Sequence, residues 1–247
     1  MIAPVLDYAR WQLRDHVRGA GLVIVLFTAV LGLILWQVAK GNPGLADGAV
    51  VVLATTLSQL AWPLVVLAVA GMVSTDRVDG YNRSLFSAPV TPAWYYLQRF
   101  LIGGVILATL PIMIAVAIRL SLGAWVAPWE AVRGVVLLYL LLGGLVFCWS
   151  TFGRRDWAIG VSLYLGQSAL HGAREAGMPL PGFLRDVTPL LPPFHLVEFG
   201  GMEGREILGT TLPTGWDLVH YLGYAAGLLG IGVAVLLFRP MGSGGKG

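Results

Sequence analysis

Residues 19–39, GAGLVIVLFTAVLGLILWQVA, run for 21 positions without a charged side chain. A helix of about 20 residues crosses about 30 Å of hydrocarbon, so this run is long enough to span a bilayer by itself. It begins after 18 residues that carry charge, and it ends in Trp36-Gln37-Val38-Ala39-Lys40 without a small-residue cleavage pattern. The run is therefore expected to persist as a helix rather than be removed as a leader.

Reading outward between charged residues gives five more uncharged windows: 48–75 (28 residues), 100–118 (19), 134–153 (20), 157–173 (17) and 218–238 (21). The composition agrees. Of 247 residues, 57% are hydrophobic and 12% charged, against roughly 25% charged in an ordinary soluble domain. With 16 basic and 13 acidic side chains, too little charge is present to clothe a soluble surface of this size. The expected fold class is an all-α integral membrane protein with six transmembrane helices in one domain, 1–247. The fifth window holds Ser162, Gln167, Ser168 and His171, so it is expected inside a bundle rather than against lipid.

The few charges orient the chain. With the N-terminus on the cytoplasmic side, the inside receives Arg10, Arg14, Arg18, Arg77, Arg83, Arg99, Arg154, Arg155, Arg239 and Lys246. The outside receives Lys40, Arg119, Arg133, Arg174, Arg185 and Arg205. The excess of basic residues on one side predicts that both termini are cytoplasmic.

Three connecting segments have character of their own. Residues 1–18 place Ile2, Leu6, Ala9, Leu13 and Val17 on one helical stripe beside Arg10, Arg14 and Arg18, the pattern of an interfacial helix on anionic lipid. The loop at 76–91 carries both charge signs and exposed apolar residues. A short helix from about Val78 to Ser87 would show Tyr81, Leu85 and Phe86 on one edge and stop at Pro89. Thr91 and Pro92 cap the next helix, whose Trp94, Tyr95 and Tyr96 form an interfacial belt before Phe100. The segment 171–215 contains six of the 14 prolines, and its apolar stretch 184–199 is too short and too broken to span. It reads either as a re-entrant element able to gate an outward exit or as a loop on the outer leaflet. Gly143-Gly144 in the fourth window, and Gly223 with Gly227 in the sixth, are expected to pack within the bundle.

Several chemistries are excluded or disfavoured. The only Gly-Lys pair is Gly245-Lys246, at the end of the sequence, so no phosphate-binding loop is present. No basic run points to nucleic acid. Gly160-Val161-Ser162 with His220 could evoke an intramembrane serine protease. The two residues would lie roughly 15–20 Å apart along the membrane normal, far from the ~3 Å a nucleophile and its base require. His171, His195 and His220 have no metal-ligand spacing. No ionisable residue lies near the middle of a window, where a proton- or sodium-driven carrier places one. The pathway candidates are therefore uncharged: Ser58, Gln59 and Trp62, followed by the helix-bending Pro63, on the second helix, and Gln167 and Ser168 on the fifth.

The combination of a cytoplasmic interfacial helix, six spans, a loop between the second and third, and a proline-rich region between the fifth and sixth resembles the type-2 ATP-binding-cassette export permeases. The family's docking loop runs acidic-basic, Gly, Leu, Pro and a small hydroxylated residue, then a basic residue. Here those are Asp76-Arg77, Gly80, Leu85, Pro89-Val90-Thr91 and Arg99. Tyr81 replaces the usual Thr or Ser, and Pro92 a common basic residue.

The resemblance implies a permease subunit in a bacterial or archaeal cell (inner) membrane, paired with a second copy or a homologue. It would dock a cytoplasmic ABC ATPase through Asp76, Arg77, Asp79, Gly80, Tyr81, Arg83, Leu85 and Phe86. ATP and Mg would be bound by that ATPase, with no cofactor on this chain and no catalysis by it. The alternative from another class is a membrane anchor or assembly subunit that transports nothing.

Overall fold

The computed structural model describes residues 10–14, 17–41, 48–78, 91–153, 155–178, 181–187, 191–199, 202–203, 206–207 and 210–238. Residues 10–14 are helical. A π-helical turn, Val17–Gly21, leads into α1, Leu22–Gly41. Then follow α2, Ala49–Val69; the short α3, Ser74–Val78; and α4, Pro92–Leu122. Helix α5 runs Trp129–Ser150 with a π-helical segment at Tyr139–Gly143. It is followed by α6, Asp156–Glu175, the short α7, Gly182–Val187, and α8, Gly215–Phe238.

Five of the described helices are long and apolar enough to cross a membrane: α1, α2, α4, α5 and α8. This is the architecture of a helical membrane protein. The fifth sequence window does form a helix, α6, and its 20 residues give it a length of about 30 Å. Its Ser, Gln, His and charged residues leave it outside the five apolar helices, in keeping with the polarity read from the sequence.

Helix α5 is the axis of the bundle, with 72% of its most apolar stretch buried, against 17% for α1. Helices α2, α4 and α8 pack around α5, α6 runs beside its second half, and α1 lies along α4. The centre is aromatic. Phe100 of α4 lies 4.6 Å from the Tyr139 ring and 5.5 Å from Phe147. The buried Tyr139 hydroxyl donates to the Phe100 carbonyl at 2.6 Å. The α4–α5 approach depends on Gly104, where a Cβ would stand 2.9 Å from the Tyr139 ring.

At 31 residues, α4 would be about 46 Å long, longer than a hydrocarbon core is thick, so part of it must emerge. Tryptophans gather at both ends of the bundle. Trp11, Trp94, Trp149 and Trp157 gather at the end of the bundle that holds residues 10–14, while Trp36, Trp125, Trp129 and Trp216 lie at the other. All eight are exposed, and only Trp62 is not. Two belts of amphipathic rings separated by a helix length are what two membrane–water interfaces select.

The described part of 171–215 holds the end of α6, α7, a 3-10 turn at Phe194–Leu196 and four two-residue strands: β1, Glu198–Phe199; β2, Met202–Glu203; β3, Glu206–Ile207; and β4, Thr210–Thr211. Strand β1 pairs with β4 and β2 with β3, both antiparallel. These ladders were not expected from sequence. Phe199 and Thr210 close over the start of α5 at Gly134, where a Cβ would meet both at 2.8 Å.

The small-residue expectation divides. Gly143 and Gly144 do pack inside: a Cβ on Gly144 would touch Leu229 of α8 at 3.4 Å. Gly223 and Gly227 face away from the bundle with nothing within 4 Å, and Gly232 is the glycine of α8 that meets α5, against Phe147 at 2.9 Å.

Candidate functional site

The first group of polar residues forms at the end of the bundle nearest residues 10–14. Helix α2 stops at Val69, and Gly71 turns the chain with φ +72°, a left-handed conformation that glycine adopts without a Cβ penalty. That turn points the Gly71 N–H at Asp156, the first residue of α6, whose Oδ2 accepts it at 2.8 Å. The Asp156 Oδ1 accepts the N–H of Trp157 at 2.9 Å. The carboxylate is 1% exposed and sits in the first turn of a helix, where negative charge is favoured.

Beside it, the Arg99 guanidinium of α4 reaches Asp76 Oδ2 at 3.2 Å and donates to the Met72 carbonyl at 3.4 Å. Gln12 is buried and donates to the Tyr95 carbonyl at 3.5 Å, which ties the N-terminal helical segment to the first turn of α4. Of the docking residues named from sequence, Asp76 is placed in this ion pair and Arg77 lies in α3. Asp79, Gly80, Tyr81, Arg83, Leu85 and Phe86 lie outside the described residues. Asp76 and Arg99 therefore join the two ends of the connection that contains them.

The second group lies further along the bundle, between α2, α6 and the 3-10 turn. Trp62 stacks on Tyr164 at 5.5 Å, and Tyr164 meets Phe194 edge-on at 5.4 Å. One turn along α6, Gln167 is 2% exposed and its Nε2 stands 3.3 Å from His195 Nδ1. His195 stacks in turn on His171, with ring centroids 4.6 Å apart. Two of the five pathway candidates, Trp62 and Gln167, thus both reach the 3-10 turn, Trp62 through Tyr164 and Phe194 and Gln167 through His195.

The other three lie at or near the surface. Ser58 is half-buried and donates to the Thr55 carbonyl at 2.8 Å; Ser168 is exposed and donates to the Tyr164 carbonyl at 2.9 Å; Gln59 is exposed. Gln59 lies three residues from Trp62, and Gln167 three from Tyr164, both toward the same end. The helix rise therefore puts Gln59 and Gln167 at one depth, near the middle of their helices. Thr55 and Gln59 on α2, and Ser162, Gly166, Ser168 and Ala169 on α6, are all exposed, with the exposed Leu165 among the α6 positions.

Tyr164, Phe194 and Asp156 were not singled out from sequence, and His195 was considered only as a metal ligand. Tyr164, Gln167, Ser168 and His171 follow the helical spacing i, i+3, i+4, i+7, and that stripe was the available signal. Ser162 is exposed on α6, whereas His220 makes an edge contact with Tyr224 on α8. Among the described residues no group of three or more His, Cys, Asp or Glu could hold a metal. Comparison with protein-family models, with curated proteins and with solved structures finds no match to this chain.

Proposed function

We propose that the chain is the transmembrane permease subunit of an ATP-driven exporter, with six spans counting α6, working as a dimer and coupled to a separate cytoplasmic ABC ATPase. The observation that carries the reading is the exposure of four polar side chains, Thr55, Gln59, Ser162 and Ser168, in the middle part of α2 and α6. A primary amide turned toward hydrocarbon is costly, and polar side chains at membrane depth face protein or a water-filled cavity. A second copy apposed to these positions would cover them and enclose a path lined by uncharged polar groups, suited to an amphipathic or apolar cargo.

Coupling in this reading runs through the loop. Residues 76–91 would dock on the ATPase, with Tyr81, Leu85 and Phe86 as the apolar edge. A push on the loop would reach α4 through Asp76–Arg99 and α6 through the Gly71–Asp156 bond. The ATPase must contact the loop differently in its two nucleotide states, because a contact equal in both would shift no population. The partner ATPase would supply ATP and Mg binding, both termini would be cytoplasmic, and residues 1–18 would lie on the inner leaflet of a bacterial or archaeal cell membrane.

The test is cysteine cross-linking in native membranes in a Cys148→Ser background. Gln59→Cys is expected to give an oxidant-dependent dimer, and Val105→Cys, on an exposed apolar position of α4, is expected to stay monomeric. A monomeric Gln59→Cys, or equal cross-linking at both positions, would contradict the assigned interface.

A further inference from the structure

Two buried side chains, one on α6 and one on α8, each keep a polar atom without a hydrogen-bond partner. Gln167 is 2% exposed; its Nε2 stands 3.3 Å from His195 Nδ1, while its Oε1 has no partner. Turning the amide over would exchange the two atoms and still leave one of them unpaired. Tyr221 of α8 is 0% exposed, and its hydroxyl has no partner either. Buried polar groups in folded proteins are nearly always hydrogen-bonded, and leaving one unpaired is costly.

The two residues belong to one region. Gln167 stands 8 residues before Glu175, the end of α6, and Tyr221 stands 6 after Gly215, the start of α8. The helix rise puts them about 12 Å and 9 Å inside the same end of the bundle. Tyr164, one turn from Gln167, is near enough to the Tyr221 hydroxyl to act on it electrostatically. Tyr164 also carries the ring contacts to Trp62 and Phe194. Phe194 is buried, whereas Trp62 and Tyr164 are half-buried, so the stack of α2 on α6 has an edge at the surface.

We propose that Gln167 and Tyr221 are the hydrogen-bonding groups of a binding site for a small neutral molecule that carries a hydroxyl on an apolar body. A hydroxyl both donates and accepts, so it answers Gln167 in either orientation of the amide, and Tyr221 as well. The rings of Trp62, Tyr164 and Phe194 supply the aromatic surface that binding sites set beside a few polar groups. Helix α2 carries no acidic or basic residue, and α6 carries none between Asp156 and His171. A charged ligand would find no opposite charge on those stretches, so this lining suits a neutral one. With Trp62 and Tyr164 in contact the site is closed, and entry requires the two rings to part. Binding here does not depend on the transport reading; in that reading the site would hold the cargo.

The experiment pairs thermal unfolding with probe binding, on the full chain in lipid nanodiscs. In the protein without added probe, Tyr221→Phe removes a hydroxyl that has no partner, so its Tm is expected at or above that of the parent. A fall in Tm would show that the hydroxyl is already bonded, to a resident water or to another group, and would overturn the proposal. The probes are thymol and p-cymene, which share one carbon skeleton and differ by a single hydroxyl. With empty nanodiscs as the reference, thymol is expected to bind saturably, one molecule per chain, about tenfold more tightly than p-cymene. Tyr221→Phe and Gln167→Leu are each expected to lose about tenfold in thymol affinity and little in p-cymene affinity. Val105→Ala, at an exposed position of α4, is expected to bind thymol as the parent does. No saturable thymol binding, equal affinity for the two probes, or an unchanged thymol affinity in Tyr221→Phe would overturn the proposal.

Discussion

Asp156→Ala is expected to destabilise the protein by about 3 kcal/mol, because it removes one carboxylate that accepts two backbone N–H bonds in a buried setting. The cost has two parts. The lost bonds are charge-assisted, and the Gly71 and Trp157 amides are left without their acceptor where water has poor access. Asp156→Asn keeps one carbonyl oxygen and replaces the other with a donor, so it should lose about half as much. At 2–4 °C per kcal/mol for a chain of this length, thermal unfolding in detergent should show a drop of about 10 °C for alanine and about 5 °C for asparagine. Equal, small effects for both would mean that the Gly71–Asp156 bond does not hold α2 to α6.

Gly160→Val should separate α6 from α5. A single Cβ at Gly160 would stand 2.4 Å from Val146 Cγ2, and Val146 is a stiff β-branched side chain, fully buried, with little freedom to move aside. Overpacking of this kind costs about 1–3 kcal/mol for a small insertion, and valine, with two further methyl groups, belongs at the upper end. Gly227→Ala provides the contrast, since nothing lies within 4 Å of that position and alanine is the better helix former. A Gly160→Val variant as stable as the parent would show that the α5–α6 contact is looser than described. A large loss at Gly227→Ala would point to a partner helix seated on the outer face of α8.

The helices were legible where lipid imposes length and apolarity, and less so where chain geometry decides. The second window runs uncharged to Thr75, yet α2 stops at Val69, because Gly71 turns in a left-handed conformation to reach Asp156. The fourth window was drawn from Gly134, but α5 starts at Trp129, since Glu130 and Arg133 pair three residues apart on the helix and so need not end it. The polarity of the fifth window was read as a place inside the bundle, but α6 buries Gln167 and leaves Ser162, Leu165, Ser168 and Ala169 exposed. Its particular partners were not legible. Asp156 and Gly71 are 85 residues apart and Gln167 and His195 are 28 apart, and neither pairing follows from a local period. Gly223 and Gly227 carried the pattern of a packing seam, but spacing alone cannot say which face of a helix the bundle covers.

Of the proposed site, Trp62 and Gln167 were found as bulky or polar residues in uncharged windows, and both reach the 3-10 turn, Trp62 through Tyr164 and Phe194 and Gln167 through His195. Asp76 was read as a docking residue from its place in a motif. Its ion pair with Arg99 holds the base of the loop together, so an Asp76 variant would disturb the fold whether or not the loop docks. Leu85 and Phe86 offer the cleaner probe.

The central claim is that this chain works with an ATPase it does not contain, and affinity purification from native membranes tests it most directly. A cytoplasmic ABC ATPase subunit should co-purify in stoichiometric amount with measurable ATP turnover. The double variant Leu85→Asp, Phe86→Asp should lose both, while its thermal stability remains that of the parent. Recovery of the chain without such an ATPase, or a complex and turnover unchanged in the double variant, would contradict the account.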